Sequence, residues 1–211
     1  SDGYKRQDIY GYLWLQTYDN TVHRFDPQTE TFEQVPASGE GSTFRITSIH
    51  VLKNGTVWLL TDDEGAIRVS VNPKTHQAIP EIYTLKSAHL PASRYNKVYL
   101  DKAGNEWILT NNGLGMIPER QKSIETYFVE NKNTAPHAEQ SFYAVCEDNN
   151  EIYFGSDKGR LWRFQKKDKR FLLLEVPTKR KIVSIHKITP SEILIATDKD
   201  GFFTYQLSTS K

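Results

Sequence analysis

One seven-residue pattern recurs five times along this chain of 211 residues: an aromatic or apolar pair followed by a hydroxyl side chain. The first three copies carry Trp and Thr, the fourth carries Tyr and Ser, and the fifth, the weakest, has apolar residues in place of the aromatic and keeps the hydroxyl. Successive hydroxyls are 44, 49, 46 and 41 residues apart. So even a period indicates a fold built from one repeated structural unit. The repeat positions are Trp14, Thr17, Trp58, Thr61, Trp107, Thr110, Tyr153, Ser156 and Thr197.

Each period contains four short segments with the alternation or apolar content of β-strands, separated by polar turns that contain Gly or Asn. No segment sustains the 3.6-residue periodicity of an amphipathic helix. Four short strands in about 40–50 residues is the composition of one β-propeller blade. A β-sandwich would also contain many short strands, but not one motif repeated five times. The predicted fold is therefore an all-β propeller of five four-stranded units.

The repeat defines a single propeller domain over residues 1–211, with units at about 8–36, 44–86, 95–130, 141–177 and 182–207. Residues 2–7 are too few and too polar for an inner strand, so the first unit is expected to lack its first strand. Residues 208–211 cannot supply a fourth strand to the last unit. A self-contained propeller normally closes its ring, because open sheet edges invite association. These two gaps therefore predict an open or excised propeller, and a closed five-bladed ring is the lesser alternative.

The repeated side chains have a structural explanation. The aromatic residue lies on the second strand of each unit and packs between neighbouring blades, and the hydroxyl bonds the turn that follows. The histidines form no metal-ligand pair, and no glycine-rich phosphate loop precedes a helix. We therefore expect no catalytic residue, no metal and no cofactor. The net charge of +1 argues against nucleic-acid binding, although residues 156–187 hold 11 Lys or Arg against 3 Asp or Glu.

A ligand, if one binds, is expected on the loops that follow the second strand or precede the first, since these loops share one face of a propeller. Sugars need planar hydrogen-bonding groups beside an aromatic face, and Tyr18 with Asn111 and Arg94 offers both. The predicted ligand-binding residues are Tyr18, Asn20, Asp62, Arg94, Asn111, Asn112 and Lys158.

The third unit reads Asp101-Lys-Ala-Gly-Asn-Glu-Trp-Ile-Leu-Thr110, and the first carries Gly11-Tyr-Leu-Trp-Leu-Gln-Thr17. These segments resemble the two-component regulator propeller repeat, although Gln16, Leu60 and Leu109 stand where that repeat often has Gly. The resemblance covers nearly the whole chain and is best in the first three units. It implies the periplasmic sensor region of a Bacteroides-type hybrid two-component histidine kinase. Further propeller blades, a β-sandwich, a membrane helix and the kinase would belong to the parent chain.

The function expected from this resemblance is a non-catalytic sensor segment that responds to a glycan-derived oligosaccharide. The alternative is a scaffold for protein–protein interaction or homodimerisation. A propeller enzyme is the least favoured, because no unique carboxylate, histidine or metal cluster stands out.

Overall fold

The computed structural model describes residues 5–36, 38–39, 42–62, 65–83, 94–121, 123–128 and 140–207. The predicted unit ends at 84–86 and 129–130 and the segment 208–211 lie outside these residues. The described part contains strands and turns, with no helix assigned. The strands form five antiparallel sheets and one short two-stranded ribbon.

Within each sheet the strands follow one another in chain order, so every connection is a hairpin between neighbours. Sheet 1 contains β1 (Lys5–Gln7), β2 (Leu13–Gln16), β3 (Val22–Asp26) and β4 (Thr31–Val35). The ribbon of β5 (Ser38–Gly39) and β6 (Ser42–Thr43) follows. Sheet 2 contains β7 (Ile46–Val51), β8 (Val57–Thr61), β9 (Ala66–Val71) and β10 (Ala78–Tyr83). Sheet 3 contains β11 (Tyr95–Leu100), β12 (Glu106–Thr110), β13 (Gly113–Ile117) and β14 (Glu125–Tyr127).

Sheet 4 contains β15 (Phe142–Glu147), β16 (Glu151–Ser156), β17 (Leu161–Gln165) and β18 (Arg170–Leu174). Sheet 5 contains β19 (Ile182–Thr189), β20 (Glu192–Thr197) and β21 (Phe202–Gln206). The prediction that the first unit lacks its first strand is wrong, because Lys5–Gln7 pairs with Leu13–Leu15. An exposed polar segment can fill this position because hairpin pairing uses backbone groups and β1 is only three residues long. The fifth sheet has three strands in the described part, as predicted.

In sheets 1 to 4 the repeated aromatic residue is buried against the following sheet. Trp14, Trp58 and Trp107 are fully buried and Tyr153 is 1% exposed. Each belongs to an apolar cluster formed with residues of the next sheet, as Trp14 does with Val57 and Leu59. Residues on either side of the aromatic face the preceding sheet, because side chains alternate along a strand. At every interface between sheets, the earlier sheet in the chain therefore supplies the aromatic side chain and the later sheet supplies the residues that flank its own aromatic position.

The four clusters each join two consecutive sheets, and among the described residues none includes both the first and the fifth sheet. Leu13 and Leu15 occupy the positions of Val57 and Leu59 but are partly exposed, because no sheet packs in front of them in the described part. At the other end, Leu194 takes the place of the repeated aromatic and is also partly exposed. In the described part of the chain, the five sheets form an open row.

A buried carboxylate accompanies the Trp residue in each of the first three sheets. The indole N–H groups of Trp14 and Trp107 donate to the carboxylates of Asp8 and Asp101, at 2.8 and 3.0 Å. In sheet 2 the equivalent position is occupied by Leu52, and the Trp58 indole donates instead to Glu106 of sheet 3, at 2.8 Å. Burying an indole N–H without an acceptor would be unfavourable. In sheet 2 the hydrogen-bond acceptor for the indole is thus supplied by the neighbouring sheet.

Candidate functional site

The end of the second strand and the start of the first strand meet at one edge of each sheet, here called the turn edge. In sheets 2 to 5 the residue after the repeated hydroxyl donates its backbone N–H to the carbonyl of the residue preceding the first strand. These bonds join Asp62 to Arg45, Asn111 to Arg94, Asp157 to Ser141 and Asp198 to Lys181, at 2.9–3.1 Å. The loops of the turn edge are therefore held on a regular backbone framework, as binding loops on rigid scaffolds commonly are.

Four of the five repeated hydroxyls donate to a carbonyl within the turn that follows. Thr17, Thr61, Thr110 and Thr197 contact the carbonyls of Thr21, Gly65, Gly113 and Gly201, at 2.5–3.0 Å. The Ser156 hydroxyl is buried and makes no hydrogen bond in the described part. These contacts give the repeated hydroxyl a role in shaping the turn edge.

An ion-pair chain crosses the turn edge from sheet 2 to sheet 3. The Asp62 carboxylate lies 3.8 Å from the Arg45 guanidinium and 3.1 Å from that of Arg94. The backbone N–H of Arg94 donates to the side-chain oxygen of Asn111 at 3.1 Å, which fixes the loop that carries the arginine. Asp62 is 19% exposed, whereas the two arginines are more than half exposed. Because both guanidinium groups are exposed, they are accessible to a ligand. Exposed ion pairs of this kind add little to the stability of the fold.

A cleft opens on the turn edge between sheets 1 and 2, with a volume of about 520 Å³. Tyr18 stands fully exposed at this cleft, beside Asn20 and Arg45. The Gln16 side chain donates to the carbonyl of Ile46 at 2.6 Å, and this contact ties sheet 1 to sheet 2 at the base of the cleft. The cleft thus combines an aromatic face, an amide and a guanidinium, which are groups that hydrogen-bond and stack on sugars.

The structure brings together five of the seven predicted ligand residues in two adjoining groups. Tyr18 and Asn20 line the cleft, while Asp62, Arg94 and Asn111 form the neighbouring chain of contacts. Asn112 and Lys158 lie further along the turn edge. The backbone N–H of Asn112 donates to the Thr110 hydroxyl at 3.1 Å, and Lys158 sits on the corresponding turn of sheet 4.

Arg45 was not among the predicted residues, yet it lines the cleft and contacts Asp62. Its place in the repeat could have identified it, because Arg45 and Arg94 each immediately precede the first strand of a unit. No group of three or more His, Cys, Asp or Glu side chains with metal-binding geometry occurs in the described ranges. None of the described residues forms a helix long and apolar enough to span a membrane.

Comparison with known proteins gives matches at the level of structure. No protein-family model matches the sequence, and no curated protein does. Two structures of the extracellular domain of BT4673 from B. thetaiotaomicron, described as a one-component and as a hybrid two-component system, superpose with TM-scores of 0.69 and 0.61 at 16% and 17% identity. They cover 98% and 99% of this chain but only 26% and 27% of their own.

PorZ, a surface component of the type-IX secretion system of Porphyromonas gingivalis, matches with a TM-score of 0.65 at 15% identity, over 98% of this chain and 32% of that one. The β-propeller domain of Cps50 (Swd1) from Myceliophteria thermophila matches with a TM-score of 0.60 at 14% identity, over 99% of this chain and 68% of that one. The fold is a β-propeller. This chain spans about a quarter to a third of the length of the BT4673 and PorZ chains, and its similarity to them is one of fold.

Proposed function

We propose that this propeller is a non-catalytic segment of an extracytoplasmic receptor and that its turn edge binds a glycan-derived oligosaccharide. The observation that supports the binding site is the cleft between sheets 1 and 2, where a fully exposed Tyr18 stands beside Asn20 and Arg45. A sugar ring can cover the face of an exposed aromatic ring at little energetic cost. The amide and the guanidinium can hydrogen-bond to the hydroxyl groups of the sugar.

The likeness to extracellular domains of bacterial sensors supports the receptor part of the proposal. The receptor would be an inner-membrane histidine kinase with this segment in the periplasm. Further blades, a β-sandwich and a membrane helix would lie elsewhere in the same chain. Reading the gene's full open reading frame tests this directly. A frame without a membrane helix or a kinase domain would refute the receptor assignment.

Calorimetric titration of the chain with a panel of neutral oligosaccharides tests the binding site. We expect at least one panel member to bind, and Tyr18→Ala to weaken that binding about tenfold, because stacking on one aromatic face contributes on the order of 1–2 kcal/mol. Phe202→Ala is the matched control, since Phe202 is an aromatic residue 75% exposed on sheet 5. Equal binding by both variants would remove the cleft from the proposal.

A protein-interaction scaffold is the second candidate, and the open outer sheet faces favour it. Phe25 and Phe32 are in contact on the outer face of sheet 1, with ring centroids 4.6 Å apart and ring planes tilted by 39°, and Phe32 is 63% exposed. Exposed apolar patches of this kind often mark interaction surfaces. Light scattering over a hundredfold range of protein concentration is expected to show self-association that Phe32→Ser reduces. A concentration-independent monomer would count against the scaffold.

A further inference from the structure

A second cavity lies between sheets 1 and 2, at the opposite edge from the turn edge. Its volume is about 220 Å³, and a water molecule in the liquid occupies only about 30 Å³. Sheet 1 supplies one part of its wall, and the turn between β9 and β10 of sheet 2 supplies the other. The lining residues that matter below are Tyr12, Arg24, Asp26, Thr31, Glu33 and His76. The cavity is therefore large enough for a small organic molecule.

Arg24 places a buried guanidinium at this cavity. The residue is 2% exposed, and its Nη1 donates to the His76 carbonyl and lies 3.7 Å from the Glu33 carboxylate. Because both of these residues line the cavity, the end of the guanidinium lies at the cavity wall. Its Nε and Nη2 are buried and make no hydrogen bond in the described part. Buried donors of a charged group are unfavourable without an acceptor.

The equivalent arginine of sheet 2 shows which partner is missing. Arg24 and Arg68 each lie opposite the Trp residue of their sheet's second strand and opposite a Glu residue of its fourth strand. Arg68 uses Nε and Nη2, the two nitrogens that lack a hydrogen bond in Arg24, to bind the carboxylate of Glu106 in the next sheet, at 3.0 and 2.8 Å. Glu106 directly precedes Trp107, and the residue at that position in sheet 2 is Val57. Sheet 2 therefore offers Arg24 no acceptor at the corresponding place.

The charge of Arg24, by contrast, is already compensated. The buried Asp8 carboxylate lies 3.6 Å from Nε, which is beyond hydrogen-bonding distance, and Glu33 lies near the other end of the guanidinium. Asp26 adds a further carboxylate to the cavity wall. An anionic ligand would be repelled by Glu33 and Asp26, and a cationic ligand would be repelled by Arg24. The surroundings thus favour a ligand that is neutral and carries an acceptor oxygen.

A hydroxyl group meets these requirements because it accepts one hydrogen bond and donates another. The Tyr12 ring covers one face of the guanidinium, with its centroid 3.6 Å from the Arg24 Cζ. New hydrogen bonds to Arg24 must therefore form in the plane of the guanidinium, where its N–H groups point. The Tyr12 hydroxyl contacts the His76 Nδ1 at 3.4 Å, and the two rings pack edge to face. This pair gives the cavity an aromatic side beside its charged groups.

We propose that this cavity binds a small neutral polyhydroxyl molecule. One of its hydroxyl oxygens accepts a hydrogen bond from Arg24, in the place that the Glu106 carboxylate takes beside Arg68. Its other hydroxyls donate to the carboxylates of Glu33 and Asp26. The site is separate from the cleft of the turn edge and does not depend on an oligosaccharide binding there.

The test follows the NMR signals of the His76 ring and of the Arg24 side-chain N–H groups. The neutral probes are glycerol, myo-inositol and methyl α-glucoside, and the charged probes are glycine and sodium acetate. We expect saturable shifts with at least one neutral probe and none with the charged probes. If no neutral probe gives a saturable shift, the cavity holds only water and the proposal is overturned. Shifts with glycine or acetate as strong as those with the polyols would also overturn it.

Tyr18→Ala distinguishes this site from the cleft of the turn edge. We expect the response of His76 and Arg24 to the neutral probes to be unchanged in this variant, whether or not the variant affects oligosaccharide binding. Loss of the response in Tyr18→Ala would mean that the polyol binds at the cleft and would refute the second site.

Arg24→Lys tests the donor directly, because lysine keeps the positive charge but lacks the in-plane N–H groups of the guanidinium. Arg68→Lys is the matched control, since Arg68 occupies the same position in sheet 2. We expect Arg24→Lys to weaken polyol binding about tenfold, because the variant loses a hydrogen bond from a charged donor. Arg68→Lys should leave binding within about twofold of the unmodified chain. Equal weakening by both variants would contradict the role of Arg24.

Thr31→Trp tests the cavity while leaving the arginine in place. Thr31 is exposed on β4 and lines the cavity, so the indole should fill the space and abolish polyol binding. Thr29→Trp is the matched control, because the two hydroxyls contact each other at 2.8 Å and either variant loses that contact. Only Thr31→Trp should block binding. Binding that survives Thr31→Trp, or is lost equally in Thr29→Trp, would refute the site.

Discussion

Replacing Glu106 with Gln is expected to weaken the interface between sheets 2 and 3. Glu106 is 3% exposed and belongs to sheet 3, but its carboxylate accepts hydrogen bonds from three side chains of sheet 2, the most distant being the Asn54 amide at 3.4 Å. The Arg68 guanidinium donates to both of its oxygens, at 2.8 and 3.0 Å, and the Trp58 indole donates to one of them at 2.8 Å. The glutamine keeps an oxygen for the indole but loses the charge that neutralises the arginine.

The magnitude follows from the burial of the pair. Breaking a buried ion pair by removing one partner costs about 3–5 kcal/mol, since the remaining charge is left uncompensated. Arg68 is 21% exposed and keeps a contact with Glu81 at 3.2 Å, so the cost should fall to about 2–3 kcal/mol. Glu125→Gln is the control, because its ion pair with Lys169 at 3.1 Å is exposed and should contribute less than about 1 kcal/mol.

Urea unfolding followed by tryptophan fluorescence and circular dichroism measures the change. Since each apolar cluster of the described residues joins only two neighbouring sheets, loss of one interface should also broaden or split the unfolding transition. A double-mutant cycle with Arg68→Met isolates the pair and should give a coupling energy above about 1 kcal/mol. The reasoning fails if Glu106→Gln stays within about 0.5 kcal/mol of the unmodified chain, or if the cycle shows no coupling.

Two further predictions concern a titrating group and a backbone position. The pKa of His50 lies near 4 when folded and near 6.5 when unfolded, so the unfolded chain binds more protons between these values. The contribution of His50 to the free energy of unfolding should be fully present above pH 6.5 and should fall by up to roughly 3 kcal/mol as the pH drops to 4. In urea titrations at each pH, His50→Gln should make the free energy of unfolding depend less on pH. Gly113→Ala should cost more than about 2 kcal/mol in thermal unfolding, because its φ is +109° and the added Cβ would lie 2.4 Å from the Tyr127 carbonyl oxygen. Gly201→Ala, with φ +75° and nothing within 4 Å of the added Cβ, should cost only about 1 kcal/mol, and equal losses at both glycines would contradict the steric argument.

The sequence predicts the architecture well because every interface between sheets requires the same pattern of side chains, and that pattern is visible as the repeat. A bulky residue at one position and apolar residues on either side of it must recur wherever one sheet packs on the next, so the spacing from Trp14 to Thr197 predicts five sheets. β1 was missed because its side chains are exposed and carry no pattern. A strand that contributes mainly backbone hydrogen bonds leaves little trace in the sequence.

The polar network was harder to predict, because its partners come from different units. Arg24, Arg68 and Arg163 each lie on a third strand directly opposite the aromatic of the second, which is a regularity visible only once the register is known. The acceptor for Trp58 comes from Glu106, 48 residues further along the chain. The turn-edge residues could be grouped by their place in the repeat, but the contact between Asp62 and Arg94 depends on how two sheets sit beside each other.

The shared direction of the interfaces limits how a chain of this kind can change in length. One side of each junction supplies a bulky ring and the other a pair of smaller apolar groups, as between Trp14 and the residues Val57 and Leu59. Tandem duplication of a unit creates one new junction, between the two copies, and reproduces that match there, so a longer row needs no new kind of contact. Reversing a unit would set ring against ring at one junction and leave a gap at the other. Lineages of such proteins should therefore gain and lose whole units in one orientation only.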